Sequence, residues 1–191
     1  MKYLKIKHIK TKYMIYIDDE CIGPLYQSDV NQLDISDESE ISDETADKIN
    51  ECIYRRASNY IMNLLEKSEI AVNDVRFKLT YKGFNDDITE RVIAMLYEYN
   101  YLNDERYAEV YTRKYCKQKS RRMIERELKQ KGIDISSVEH ILDETFEEQE
   151  IDEEEVVKRL IEKKYGNPDL SDEKTRMKVM SYLARRGFRL T

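Results

Sequence analysis

Leu79-Thr80-Tyr81-Lys82-Gly83-Phe84, Leu128-Lys129-Gln130-Lys131-Gly132-Ile133 and Leu183-Ala184-Arg185-Arg186-Gly187-Phe188 repeat one pattern, Leu-x-x-basic-Gly-apolar. The pattern has a physical meaning. A helix carries a cation in its last turn, glycine takes the left-handed position beyond it, and the next apolar residue folds back on the helix end. The three glycines stand 49 and 55 residues apart, a spacing suited to three helices per unit. Repeats of that length stack as helical units with a shared core. Each of these glycines is therefore expected at positive φ.

The segments between them carry helical periodicity. Ala46, Ile49, Ile53, Ala57, Tyr60, Ile61, Leu64 and Leu65 recur at steps of three and four, which predicts one long helix over about residues 43 to 68. Asn73, Asn85, Asn103, Ser120, Asp134 or Ser136, and Ser171 with Asp172 are candidate N-caps for the helices that follow. Eight helices are expected. Before them, Tyr13, Ile15 and Ile17 alternate with Met14 and Tyr16, Asp18-Asp19-Glu20 can turn, and Gly23-Pro24 closes a small hairpin. Residues 28 to 43 are polar and acidic and read as a mobile linker or a short helix and loop outside the core.

The expected architecture is mainly α, an elongated solenoid of tandem three-helix repeats with a small N-terminal β-hairpin. Its expected segments are hairpin and acidic linker (1–42), first repeat (43–102), second repeat (103–149) and a truncated third repeat of two helices (150–191).

Composition agrees with a helical, ionic chain. Of 191 residues, 38% are charged and only 5 are Gly and 2 Pro, so obligatory breaks are few. Three widely spaced cysteines without a C-x-x-C pair point to free thiols in a reducing compartment. No stretch has the length of a membrane span or the apolar centre of a secretory signal, so a cytoplasmic protein is expected; a monomer is the expected state. The net charge of −6 hides segregation: residues 105–142 carry 10 basic and 6 acidic side chains, 143–155 none and 9, and 156–191 carry 10 and 4.

Tyr101-Leu102-Asn103-Asp104-Glu105-Arg106-Tyr107-Ala108, followed by Ile124, Glu127-Leu128 and Lys131-Gly132-Ile133, resembles the signature of the RecX family of bacterial recombinase regulators. The resemblance extends from Arg56-Ala57 to the Tyr182–Phe188 segment. Two departures stand out: an Arg-Ser pair usual in the first repeat is replaced by Ile70-Ala71-Val72-Asn73-Asp74-Val75, and a glycine usual near Lys119-Ser120 is missing. The resemblance implies a non-enzymatic regulator, without cofactor, that binds the RecA filament on single-stranded DNA, limits its growth and damps strand exchange and coproteolysis. The rival reading is a helical-repeat protein that competes for single-stranded DNA without touching RecA.

No nucleophile with its base, phosphate loop or metal-spaced cluster stands out, so no catalytic or metal residue is assigned. His8 and His140 read as ordinary, and Asp152-Glu153-Glu154-Glu155 as a solvated helix start. The outstanding signal is Arg113, Lys114, Lys117, Lys119, Arg121, Arg122, Arg126, Lys129 and Lys131, nine cations against Glu125 and Glu127. So one-sided a run points to a polyanionic or acidic partner. Lys163, Lys164, Arg185 and Arg186 form a second candidate block. Most of the 15 tyrosines fall on apolar stripes and are assigned to the core.

Overall fold

The computed structural model describes residues 1–189, so the expected end of the third repeat at 191 lies outside them. The fold is mainly α with a small antiparallel sheet at the N-terminus. Two compact units divide the chain, Met1–Asn103 and the part from Asp104 onward.

The first unit begins with β1 (Lys2–Ile9), β2 (Lys12–Ile17) and β3 (Glu20–Leu25), followed by α1 (Gln27–Leu33) and β4 (Ser39–Ile41). The expected hairpin is β2 and β3, turning through Asp18 and Asp19 at φ 50° and 66°, the pair of left-handed residues that a tight hairpin turn takes. It sits in a larger sheet of strand order β3-β2-β1-β4. Gly23-Pro24 does not end the strand: β3 lies at the sheet edge, where proline's missing donor is tolerated. The backbone N–H of Asn85 donates to Ile22 O at 3.0 Å and so occupies part of that edge.

Residues 28–43 are likewise built into the unit. Ile35 and Ile41 are buried, and so is Asp29. The Asp29 carboxylate accepts the Tyr26 N–H at 2.9 Å and two bonds from Arg56 Nε at 3.0 and 3.1 Å, tying α1 to α2 (Asp43–Leu65). Burial opposes the charge on Asp29, yet Arg56 and the Tyr26 N–H outweigh it and hold the carboxyl below its ordinary pKa. Because the folded-state pKa is depressed, the stabilisation is complete above the unfolded value near pH 4 and is lost as pH falls through the folded value. Asp29→Asn should therefore lower the urea midpoint at pH 7, and its deficit against wild type should shrink below about pH 4. A deficit constant from pH 7 to pH 3 would contradict a charged pair.

Ser42 Oγ accepts the Thr45 N–H at 3.1 Å and opens α2, whose Ile49, Ile53, Ala57 and Ile61 are fully buried. The stripe anticipated for this helix is its core face. Next come α3 (Val72–Lys82) and α4 (Asp86–Glu98). The residue before α3 is Ala71, which offers no capping side chain, rather than the expected Asn73. Asn85 does cap α4, accepting from Ile88 N at 3.0 Å.

The second unit contains α5 (Asp104–Tyr115), α6 (Arg121–Gln130), α7 (Ile135–Glu148), α8 (Glu153–Tyr165) and α9 (Glu173–Ala184). Ser120, Asp134, Asp152 and Asp172 cap the last four. With α1 added, the described residues hold nine helices rather than eight. Ala108, Cys116, Ile124, Leu128, Val138 and Leu142 form one cluster, and Val156, Leu160, Val179 and Leu183 anchor another.

The repeated helix ending is real at the level of single bonds. Gly83, Gly132 and Gly187 have φ of 96°, 89° and 86°. Phe84, Ile133 and Phe188 each donate their N–H back to the leucine five residues earlier, at 3.1, 3.1 and 3.2 Å, and all three side chains are buried. This is the anticipated geometry, glycine at the left-handed position and the next apolar residue folded back on the helix.

Candidate interaction surface

The basic run occupies α5, α6 and the loop between them, but the fold divides its members. Arg113 pairs with Glu109 at 3.0 Å and with Glu148 at 2.6 Å. Arg121 pairs with Glu125 at 2.9 Å and with Asp143 of α7. Burial works against the Arg121 charge, but the hydrogen bonds it donates to both carboxylates raise its pKa above the ordinary arginine value. Lys119 is bound to Glu127 at 2.6 Å, and the Tyr111 hydroxyl donates to the same carboxylate at 2.8 Å. Burial and that carboxylate push the Tyr111 pKa up, so the hydroxyl is a fixed donor joining α5 to α6. The run reads as one-sided when only partners along its own helix are counted. Asp143 and Glu148 of α7 supply part of the compensation, so Arg113, Lys119 and Arg121 secure the helices to one another.

Arg122, Arg126 and Lys129 are different. Spaced by four and three residues, they share one face of α6, all three are exposed, and none makes an ion pair with a described carboxylate. With Arg189 they line a groove of about 570 Å³ that also takes in Met123, Ile135, Phe188 and Glu125, whose carboxylate is engaged by Arg121. Arg126 reaches Met123 Sδ at 2.9 Å, which steadies the guanidinium over the groove wall. Charge around an apolar floor suits an acidic or phosphate-bearing partner with some apolar surface. The groove exists because α9 ends on the start of α6: Ser120 N donates to Arg186 O at 2.9 Å.

Lys114 and Lys117 are exposed at the end of α5 and beyond it and do not line that groove; the Lys117 carbonyl accepts from Arg159 at 2.9 Å. Lys131 is half-buried at the end of α6. In the second block, Tyr182 gathers two cations, with Lys164 Nζ 4.3 Å and Arg186 Cζ 3.9 Å from its ring centroid. Lys163 is exposed on α8. Arg185 lines a separate groove of mixed charge, with Lys174 and Lys178 beside Asp172 and Glu173. Sequence reasoning missed Arg189 as a groove residue; its signal was its position directly after a buried Gly-Phe ending.

Two family models match the chain: the second three-helix domain of RecX over residues 103–140 and the third over 152–190. A regulatory protein RecX from Clostridium acetobutylicum is 32% identical over 148 residues, covering 74% of this chain and 67% of that protein. One from Clostridium perfringens strain SM101 is 29% identical over 182 residues, covering 91% and 82%. A crystal structure of a regulatory protein RecX aligns with 98% of this chain and 95% of its own at a TM-score of 0.54 and 21% identity, a likeness of fold. With the signature over Tyr101–Ala108 and three matching helix endings, these similarities establish that the chain belongs to the RecX family of regulatory proteins.

Proposed function

We propose that this chain is a non-enzymatic regulator that binds the RecA filament on single-stranded DNA and inhibits its growth, and with it strand exchange, ATP hydrolysis and coproteolysis. The observation that carries this reading is the α6 groove, where Arg122, Arg126, Lys129 and Arg189 surround an apolar floor. Such a groove suits a protein–DNA filament, which offers phosphates and acidic subunit edges together. The protein acts as a monomer in the cytoplasm, where its recombinase works; among the described residues no helix is long and apolar enough to cross a membrane.

A binding mechanism makes inhibition stoichiometric. Protein stripped of metal and nucleotide should inhibit RecA-dependent ATP hydrolysis in proportion to its occupancy of the filament. Multiple turnovers that yield cleaved RecA or covalently altered DNA would overturn the reading in favour of an enzyme. The rival competitor for single strands is favoured by exposed basic surface in both units. It predicts equal affinity for bare and RecA-coated DNA at one salt concentration, whereas a filament regulator binds the coated strand more tightly.

A further inference from the structure

All five basic residues of the first 43 lie between Lys2 and Lys12, and the sheet sorts them. Leu4, Ile15 and Ile17 face the core. The opposite face is set by register, with Lys5 beside Tyr16, Lys7 beside Met14 and Ile9 beside Lys12. Three lysines and a tyrosine thus share the outer face of β1 and β2, and Glu40 stands at its β4 margin opposite Tyr3. Lys7 Nζ lies 4.7 Å from the centroid of the Tyr16 ring. None of the three lysines has an ion-pair partner among the described carboxylates, in a unit that is acidic overall. The paired cations of α5 and α6 behave in the opposite way.

The face continues beyond the strands. Gly83, at the end of α3, abuts β2 so closely that a Cβ there would come within 2.7 Å of Met14 Cε. That contact brings Lys82 beside the sheet, with its Nζ 5.0 Å from the Tyr60 ring centroid. Burial, and next the nearby Lys82 charge, lower the Lys12 pKa. Cations held close together without a carboxylate are stabilised by an incoming anion.

We infer that the outer face of the N-terminal sheet, through Lys5, Lys7 and Lys12 with Tyr16 and the adjoining Lys82, binds a single DNA strand directly. The lysines meet successive phosphates, and the Tyr16 ring, beside them on the same face, offers a stacking surface for a base. A single strand is favoured by the aromatic ring beside the lysines, because only unstacked bases can splay out and stack on it. This site lies in the first unit and does not depend on the filament reading, which rests on the second.

The test uses the full chain and a fluorescein-labelled oligothymidylate, followed by anisotropy at low and moderate salt. Lys5→Gln/Lys7→Gln/Lys12→Gln should weaken binding about tenfold or more. It should also reduce the slope of log affinity against log salt by about 2, three contacts at roughly 0.7 each. Charge removal at these strand positions leaves the core untouched, and an unchanged urea midpoint verifies that the variant folds. A 5-iodouracil strand should crosslink to the sheet face under ultraviolet light, at Tyr16 or Tyr3. Wild-type protein that does not bind the oligonucleotide, a folded triple variant that binds as well as wild type, or crosslinks confined to α5 and α6 would each overturn the inference. Inhibition of RecA is read separately, so loss of one activity with retention of the other identifies which of the two readings has failed.

Discussion

Gly187→Ala should destabilise the protein by about 3 kcal/mol, while Gly166→Ala, which meets backbone strain alone, should cost about 2 kcal/mol. Both glycines have positive φ, 86° and 69°, so both substitutions meet backbone strain. They differ in surroundings. A Cβ at Gly166 would meet nothing within 4 Å, whereas one at Gly187 would overlap Ser120 Oγ and lie 2.8 Å from Met123 Cβ. Ser120 cannot simply yield, because its Oγ accepts the Met123 N–H at 3.3 Å to cap α6 and its backbone N–H is bound to Arg186. Strain, overlap and a lost cap, each worth about 1 kcal/mol, combine at Gly187. Urea denaturation of the two variants at pH 7 separates them. Equal losses would mean that the end of α9 does not dock on the start of α6 in solution.

What the sequence disclosed and what it hid follow from the range of the interactions. The helix endings were legible because every partner lies within five residues: a leucine carbonyl, a glycine at the left-handed position and an apolar residue that turns back. So were the caps at Asn85, Ser120 and Asp172, each acting on an N–H three residues on. The sheet beyond the hairpin was hidden, although β1 alternates with Leu4 and Ile6 on its inner face, because the pairing of β1 with β2 and with β4, more than 30 residues away, is not written in the local pattern. The segment from 28 to 43 looked like a linker because Asp29 reads as polar until Arg56, 27 residues away, arrives to neutralise it. The same blindness to distant partners made the basic run seem uniform. Asp143 and Glu148 remove Arg121 and Arg113 from it, and only folding reveals that Arg122, Arg126 and Lys129 are left facing a groove.

Arg122→Glu/Arg126→Glu/Lys129→Glu should weaken inhibition of the RecA filament about tenfold or more at moderate salt and leave the fold intact. Arg121 is excluded from this set, because reversing it would place a third carboxylate beside Glu125 and Asp143 and unsettle the contact of α6 with α7. The three chosen side chains are exposed and lack carboxylate partners, so their reversal costs little stability, and a glutamate at position 122 is compatible with the dipole at the start of α6. Each reversal replaces an attraction to phosphate or an acidic edge with a repulsion, which explains why loss should exceed that of simple neutralisation. The same variant should keep its affinity for bare oligothymidylate within about threefold, since the sheet lysines in the first unit are unchanged. Full inhibition by a folded triple variant would move the filament contact elsewhere, first to the cations gathered by Tyr182, Lys164 and Arg186, with Lys163 and Arg185 close in sequence. Parallel loss of bare-strand binding would instead make the α6 groove the DNA site and the protein a competitor for single strands.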